Sequence, residues 1–382
     1  MEIAKMSLSK SLFSFVRIFL FIIAFVDVCI AVNLNEISSG NEQIELTNVQ
    51  NLQQFVKKPF FFGDSFYQKV SKGIDVNVLV VGDSIGAGAG SSHWSHAWPN
   101  ILVSHIKSKY NVEVKLTNIS MGGNSSYAGY FRTMALNDGI SYDLVILCYG
   151  QNDADDNFSL FYESIISAVK IRYPKASIIC ILEHSQRDYS EKMKIIKEIA
   201  DHYEFPIVDT IAAFHDNYDS LVVDGVHPND EGQKVYFQTV MNVIEPLVSE
   251  LRGFDHYNVS AVNEQLPIFD TFHYFPVTLF NREGNTFSLQ TKIDGIVMGV
   301  YYTVNPGPNN FKIFVDGKEY AKKEANFNFN FCIDAITVMN PNYFLGGRKV
   351  NIQKEIKVVF SDDETGKKLA DGFIGLGISG SK

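Results

Sequence analysis

The chain has little cysteine, no cluster of basic residues in its body and no uninterrupted apolar run of bilayer length. Each shortage removes a class of function. Of four cysteines in 382 residues, Cys29 falls in an amino-terminal leader, and Cys148, Cys180 and Cys332 are too few to pair completely. Cys148 and Cys180 sit inside apolar strand patterns and read as small core residues rather than as a disulfide. No Cys/His spacing fits a zinc site, and neither a metal nor another cofactor is expected. Lys and Arg number 33 against 43 Asp and Glu, a net charge of −10. Without clustered cations to neutralise phosphates, nucleic acid is not an expected partner, and an uncharged or cationic one fits better.

The apolar stretch from Ile18 is cut by Asp27 and preceded by Lys5, Lys10 and Arg17. It is roughly half of the about 20 residues that a bilayer span requires. Residues 1–31 therefore read as a secretory signal peptide, with Cys29 and Ala31 as small residues before a cleavage site, or as an uncleaved anchor attaching the chain to a membrane. Both readings make the protein exported: secreted, periplasmic or on the cell surface. With 46% hydrophobic and 13% aromatic residues, the remainder can fill two cores.

After a polar linker and extension over 32–75, short apolar runs alternate with longer amphipathic ones from Val76, the rhythm of a parallel βα sheet. Strands are expected at Val76–Val81, Val112–Ile119, Leu144–Tyr149, Ser177–Leu182 and Phe205–Val208. Helices are expected near 96–109, 160–173, 191–203 and 230–250. Right-handed crossovers would give a three-layer α/β/α sandwich, residues 76–252, with strand order 2-1-3-4-5. Near Gly253 the chain becomes rich in Asn, Phe and Gly, with strand-like runs at 286–292, 297–304, 311–315, 327–338 and 355–360. Asp316-Gly317 is a hairpin signal. Residues 253–382 thus read as a β-sandwich of jelly-roll type.

Val76 to Gly90, VNVLVVGDSIGAGAG, runs a buried-strand pattern into Gly82-Asp83-Ser84. Such a turn leaves one serine at the carboxyl edge of a sheet, where open α/β folds bind ligands. Gly63-Asp64-Ser65 repeats the tripeptide without an aliphatic strand before it, and reads as idle. A serine nucleophile needs a base, a group to orient the base, and donors for the oxyanion. Asp224-Gly225-Val226-His227-Pro228 supplies the first two. Gly150-Gln151-Asn152-Asp153 follows one strand and places an Asn152 amide at the mouth. Met121-Gly122-Gly123-Asn124 follows another and offers a backbone N–H, with the Ser84 N–H as a third donor.

Gly-Asp-Ser, a glycine after the second strand, Gly-x-Asn-Asp and Asp-x-x-His-Pro, in that order, resemble the SGNH or GDSL hydrolase superfamily over about 76–250. The resemblance implies a flavodoxin-like fold, a catalytic triad of Ser84, Asp224 and His227, and an oxyanion hole of Ser84, Gly123 and Asn152. His93 and Trp94, soon after the nucleophile, are placed to touch a sugar ring, while Trp98-Pro99 reads as a helix start. His184 reads as a loop histidine and Asp153 as an Asx turn. Asn118, Asn124, Asn157 and Asn258 begin glycosylation sequons, Asn124 in a poor place for a glycan.

For an exported enzyme of this type the expected reaction is removal of O-acetyl or other short acyl groups from a carbohydrate or envelope polysaccharide. An O-acyltransferase, a lipase or thioesterase, and a non-catalytic carbohydrate-binding envelope protein are the alternatives. No lid or membrane-binding amphipathic helix after the leader favours a lipid ester.

Overall fold

The computed structural model describes residues 63–154, 156–255, 260–263, 271–304, 307–323, 326–327, 335–339 and 350–381. The leader, the polar segment after it, Cys29, Cys332 and the Asn258 sequon lie outside the described residues.

Five strands, β1 (Val76–Gly82), β2 (Val114–Asn118), β3 (Leu144–Cys148), β4 (Ser177–Leu182) and β5 (Ile207–Asp209), pair in parallel in the order β2-β1-β3-β4-β5. This is the topology expected from the alternating pattern. β1, β3 and β4 are aliphatic and buried because helices cover both faces. One face carries α1 (Phe66–Ser71), α2 (Trp98–Tyr110) and the later α8 (Asp230–Ser249). The other carries α3 (Ser126–Ala135), α4 (Phe158–Arg172) and α5 (Glu191–Tyr203). Between these faces, α6 (Thr210–Phe214) and α7 (Tyr218–Leu221) lead from β5 to α8.

Helix α3 is absent from the expectations above, for a physical reason. Nine of its ten residues are buried, so no solvent-facing polar side marks this short segment as a surface helix. It is buried on one side by the parallel sheet and on the other by the carboxyl-terminal part of the chain. At Gly129, an added Cβ would lie 2.5 Å from the Tyr149 hydroxyl oxygen, so this glycine permits the close approach of helix and sheet.

The carboxyl-terminal part forms two antiparallel sheets. One is β12 (Lys318–Lys323), β11 (Phe311–Val315), β16 (Glu355–Phe360), β8 (Thr286–Gln290) and β7 (Asn281–Glu283), in that order. The other is β14 (Ala335–Met339), β9 (Ile293–Val304), β17 (Phe373–Ser381) and β6 (Phe272–Pro276), with β15 (Val350–Ile352) also on β9. Side chains of both sheets, among them Val300, Tyr302, Ile313, Val358 and Leu376, fill one core, as in a sandwich. Asp316 and Gly317 take positive φ of 48° and 80° at the β11–β12 turn, the conformation an Asp-Gly hairpin demands. The short β10 (Gly307–Pro308) and β13 (Asn326–Phe327) pair with each other. A helix, α9 (Glu364–Asp371), precedes β17. The glycines of β17 hid it as a strand. At Gly377 a Cβ would meet Phe131 and Phe272 rings at 2.3 and 2.7 Å, so packing on α3 overrides strand propensity.

The seam between the sandwich and the α/β layers is continuous apolar packing. Phe131 of α3 meets Phe272, Tyr274 and Tyr301 edge-on at 5.0 to 6.2 Å. The Tyr127 hydroxyl donates to the Met298 carbonyl, and the Met298 side chain belongs to the same buried cluster as α3, α4 and α5.

Candidate active site

The backbone leaves β1 at Gly82, where a Cβ would fall 2.7 Å from the Cys148 carbonyl oxygen of the neighbouring strand. Asp83 is fully buried, and its Oδ1 accepts the Ile85 N–H at 2.8 Å, closing the turn that holds Ser84 at the sheet edge. Ser84 is half-buried. Its Oγ lies 2.8 Å from His227 Nε2.

His227 Nδ1 lies 2.7 Å from Asp224 Oδ2, while Asp224 Oδ1 accepts the backbone N–H groups of His227 at 2.9 Å and Val226 at 3.1 Å. Burial pushes the Asp224 carboxyl up, but the bonds from the His227 backbone and ring and from Val226 outweigh it and hold it below the ordinary range. The loop is closed by a bridge between Val222 and Pro228, with the Val223 N–H on the His227 carbonyl at 2.9 Å. Serine, imidazole and carboxylate thus stand in one hydrogen-bonded line, so proton transfer from the hydroxyl needs no rearrangement.

The loops after β2 and β3 reach the same mouth. A Cβ on Gly122 would lie 3.7 Å from Ser84 Cβ, and the exposed Gly123 takes a left-handed φ of 71° with nothing near its missing side chain. The exposed Asn152 directs Nδ2 to Asp83 Oδ2 at 3.2 Å and to the Asn124 carbonyl at 3.3 Å. Two acceptors on one atom identify it as the nitrogen of the amide.

Other sequence expectations resolve differently. Ser65 is the buried N-cap of α1, accepting from the Gln68 N–H and donating to the Arg252 carbonyl, so the second Gly-Asp-Ser is structural. Trp98 is buried with its indole N–H on the Ile85 carbonyl at 2.9 Å, as a helix-start anchor. Asp153 does not close an Asx turn: its Oδ1 accepts the backbone and hydroxyl of Ser126 at 2.8 and 2.6 Å, tying the start of α3 to the Asn152 loop. His184, in the connection after β4 as expected, is fully buried, with Nε2 2.8 Å from the Val226 carbonyl. Asn124 is buried, while Asn118 and Asn157 are both exposed, the Asn118 side chain being bonded to Gly86 and Ser120. Cys148 and Cys180 are buried free thiols, as their strand positions imply.

Trp94 is 70% exposed on a short spur whose base is fixed. Asp230, three residues past His227, accepts the Ser92 N–H and hydroxyl at 2.8 and 2.6 Å and lies 2.9 Å from His96 Nδ1. His93 packs beside the indole with ring centroids 5.4 Å apart. Gln233 is a further residue that the motifs did not single out. Buried on α8, its Nε2 serves the carbonyls of Gly88, Ala89 and Pro228 at 3.0 to 3.2 Å, and its Oε1 accepts the Trp98 N–H. It joins the loop after Ser84 to the loop that carries His227. The signal for it was an amide in line with Tyr236, Val240 and Ile244 on an apolar helix face.

The chain matches the GDSL-like lipase/acylhydrolase family over residues 80–235. No curated protein matches the sequence significantly. Among solved structures, a two-domain esterase active on acetylated mannans, co-crystallised with mannopentaose, aligns at 17% identity with a TM-score of 0.60. That alignment covers 82% of this chain and 93% of that one, so the shared fold extends into the sandwich. An acetyl xylan esterase aligns at 21% identity and a TM-score of 0.37, over 44% of this chain and 98% of its own.

Proposed function

We propose that this chain, which matches the GDSL-like lipase/acylhydrolase family over residues 80–235, removes acetyl or other short acyl groups from a carbohydrate, with Ser84 as nucleophile. The observation that carries this reading is the line from Ser84 Oγ through His227 to Asp224, at 2.8 and 2.7 Å. The Ser84 oxygen attacks the acyl carbon as its proton passes to His227 Nε2, and Asp224 stabilises the imidazolium. The resulting oxyanion is held by the N–H groups of Ser84 and Gly123 and by Asn152 Nδ2. In the free enzyme one amide hydrogen of Asn152 rests on the Asn124 carbonyl in a long 3.3 Å contact, which the oxyanion takes over while Asp83 keeps the other. Collapse expels the sugar oxygen, which takes the proton from His227. Water, deprotonated by the same imidazole, then attacks the acyl-serine, releases acetate and restores Ser84.

The carbohydrate assignment rests on the exposed Trp94 and its neighbour His93 on a fixed spur next to the histidine loop, an apolar platform suited to a sugar face. It is further supported by the fold shared with an esterase that acts on acetylated mannans. The leader-like sequence at 1–31 supports a reaction outside the cell membrane. The test is acetate release from acetylated mannan and xylan, with chromogenic esters of graded acyl length, for wild type and Ser84→Ala. Expected are a loss of about 10³-fold or more in Ser84→Ala and rates falling with acyl length. A Ser84→Ala protein at the wild-type rate overturns the assignment of the nucleophile, and rates rising with acyl length overturn the substrate.

A further inference from the structure

Strand β4 is followed at once by two polar residues, Glu183 and His184, both fully buried and both outside the four family blocks. They reach in different directions. Glu183 Oε2 accepts the Gln151 N–H at 2.8 Å and its Oε1 accepts the Cys148 thiol at 3.3 Å, while the buried Asp83 carboxyl lies near enough to act on it electrostatically. His184 Nε2 lies 2.8 Å from the Val226 carbonyl, its ring packed between Phe214 at 4.2 Å and Tyr218 and Tyr236 at 5.7 and 5.5 Å. Its own N–H is held by Thr210 Oγ1 at 2.9 Å.

We propose that Glu183 and His184 are the positioning residues of this active site: Glu183 sets the nucleophile turn and the Asn152 loop, and His184 sets the loop carrying Asp224 and His227. The inference rests on the esterase reading above. Its chemistry follows from the surroundings of each group. Two fully buried carboxyls, Asp83 and Glu183, face each other with no ion pair to either among the described residues. Desolvation raises both; the Asp83 charge adds to it at Glu183, which is raised strongly, and the Asp153 charge adds to it at Asp83, so the pair holds one proton. Protonated Glu183 donates to Asp83, and Asp83 keeps the charge, which fixes the Asn152 amide with nitrogen toward the mouth. His184 donates to a carbonyl, so the proton sits on Nε2. Burial pushes its pKa down to about 4, and the ring is neutral in ordinary buffers. Neither residue touches the reacting atoms; each fixes a neighbour of one that does.

The experiment compares Glu183→Gln with Glu183→Leu, and His184→Gln with His184→Phe, in the full chain. Glutamine at 183 keeps a donor for Asp83 and an acceptor for Gln151; glutamine at 184 carries an N–H to the reach of Nε2. The leucine and phenylalanine variants keep volume and lose the bonds. Expected on a chromogenic acetyl ester are kcat losses of about 10- to 100-fold at nearly constant KM for Glu183→Leu and His184→Phe, and losses of only a few-fold for the two glutamine variants. Wild-type kcat in Glu183→Leu or His184→Phe overturns the proposal, as do glutamine variants as impaired as their apolar counterparts. A second readout needs no turnover: the infrared difference between wild type and Glu183→Gln at neutral pH contains the C=O stretch of a protonated carboxyl. Absence of that band overturns the shared proton, and the band is read even if the wild type hydrolyses no ester, which would sink the esterase reading alone.

Discussion

Replacing Gly90 by alanine tests how the loop after Ser84 is fitted against His227, the proposed base. Gly90 has φ of +91°, and a Cβ there would lie 2.4 Å from the Pro228 carbonyl oxygen and 2.9 Å from His227 Cβ. Ordinary contact begins near 3.4 Å, so loop or histidine must move by roughly 1 Å. The obstacle is backbone, which Gln233 and the Val222–Pro228 bridge hold in place. A left-handed alanine costs about 1–2 kcal/mol, and overpacking of a tight site about 1–3 kcal/mol more. Stability in urea is therefore expected to fall by about 2–5 kcal/mol. Displacing the base by this distance is worth about 100-fold in kcat. Gly139→Ala is the control, since its φ is +70° and its side chain would meet nothing within 4 Å. It carries the conformational cost without the collision, and kcat is expected to stay at the wild-type value. The reasoning is refuted if Gly90→Ala retains kcat within about twofold while folded, or if Gly139→Ala loses as much.

Three further outcomes follow from the same coordinates. Asp224→Asn turns an acceptor of the His227 ring proton into a donor and favours the wrong tautomer, so kcat on a small ester should drop by about 10²–10⁴-fold with the melting temperature little changed; a drop under tenfold contradicts the orienting role. His184, depressed from 6.5 to about 4 in the fold, takes up its proton more readily when unfolded. Stability from it is present above about 6.5 and is lost as pH falls toward 4, by about 3 kcal/mol. Urea denaturation at pH 7 and 4 should show that loss in wild type relative to His184→Phe, and parallel losses would disprove it. Removing the indole in Trp94→Ala should raise KM on an acetylated polysaccharide by roughly fivefold, about 1 kcal/mol of apolar contact, and leave a small chromogenic ester unaffected. An equal change on both substrates argues against a sugar platform.

The parallel sheet was legible because β1, β3 and β4 are short aliphatic runs separated by amphipathic helices, a pattern that admits few topologies. The polar residues of the candidate triad were legible for another reason: each stands next to a strand end or turn, so sequence position alone puts it at the sheet edge. What escaped was burial of a kind that sequence does not label. Helix α3 hides because it is covered on both sides, and β17 because its glycines answer to Phe131 and Phe272 rather than to strand preference. Glu183, His184 and Gln233 stand at positions where a core side chain is expected. Their polarity makes sense only once the carbonyl and N–H groups of distant loops are seen to converge on them.

Phe131 and Gly377 meet across the seam, yet the chain synthesises one long before the other. The helix that begins just after Gly123 and Asn124 cannot be fully clad until β17 has been made and threaded between β9 and β6. The α/β layers therefore wait, with an apolar flank open, for the far strand to arrive, and the esterase fold is completed late. A chain interrupted before residue 373 would carry every motif of the candidate site without the strand whose Gly377 packs against Phe131 of α3.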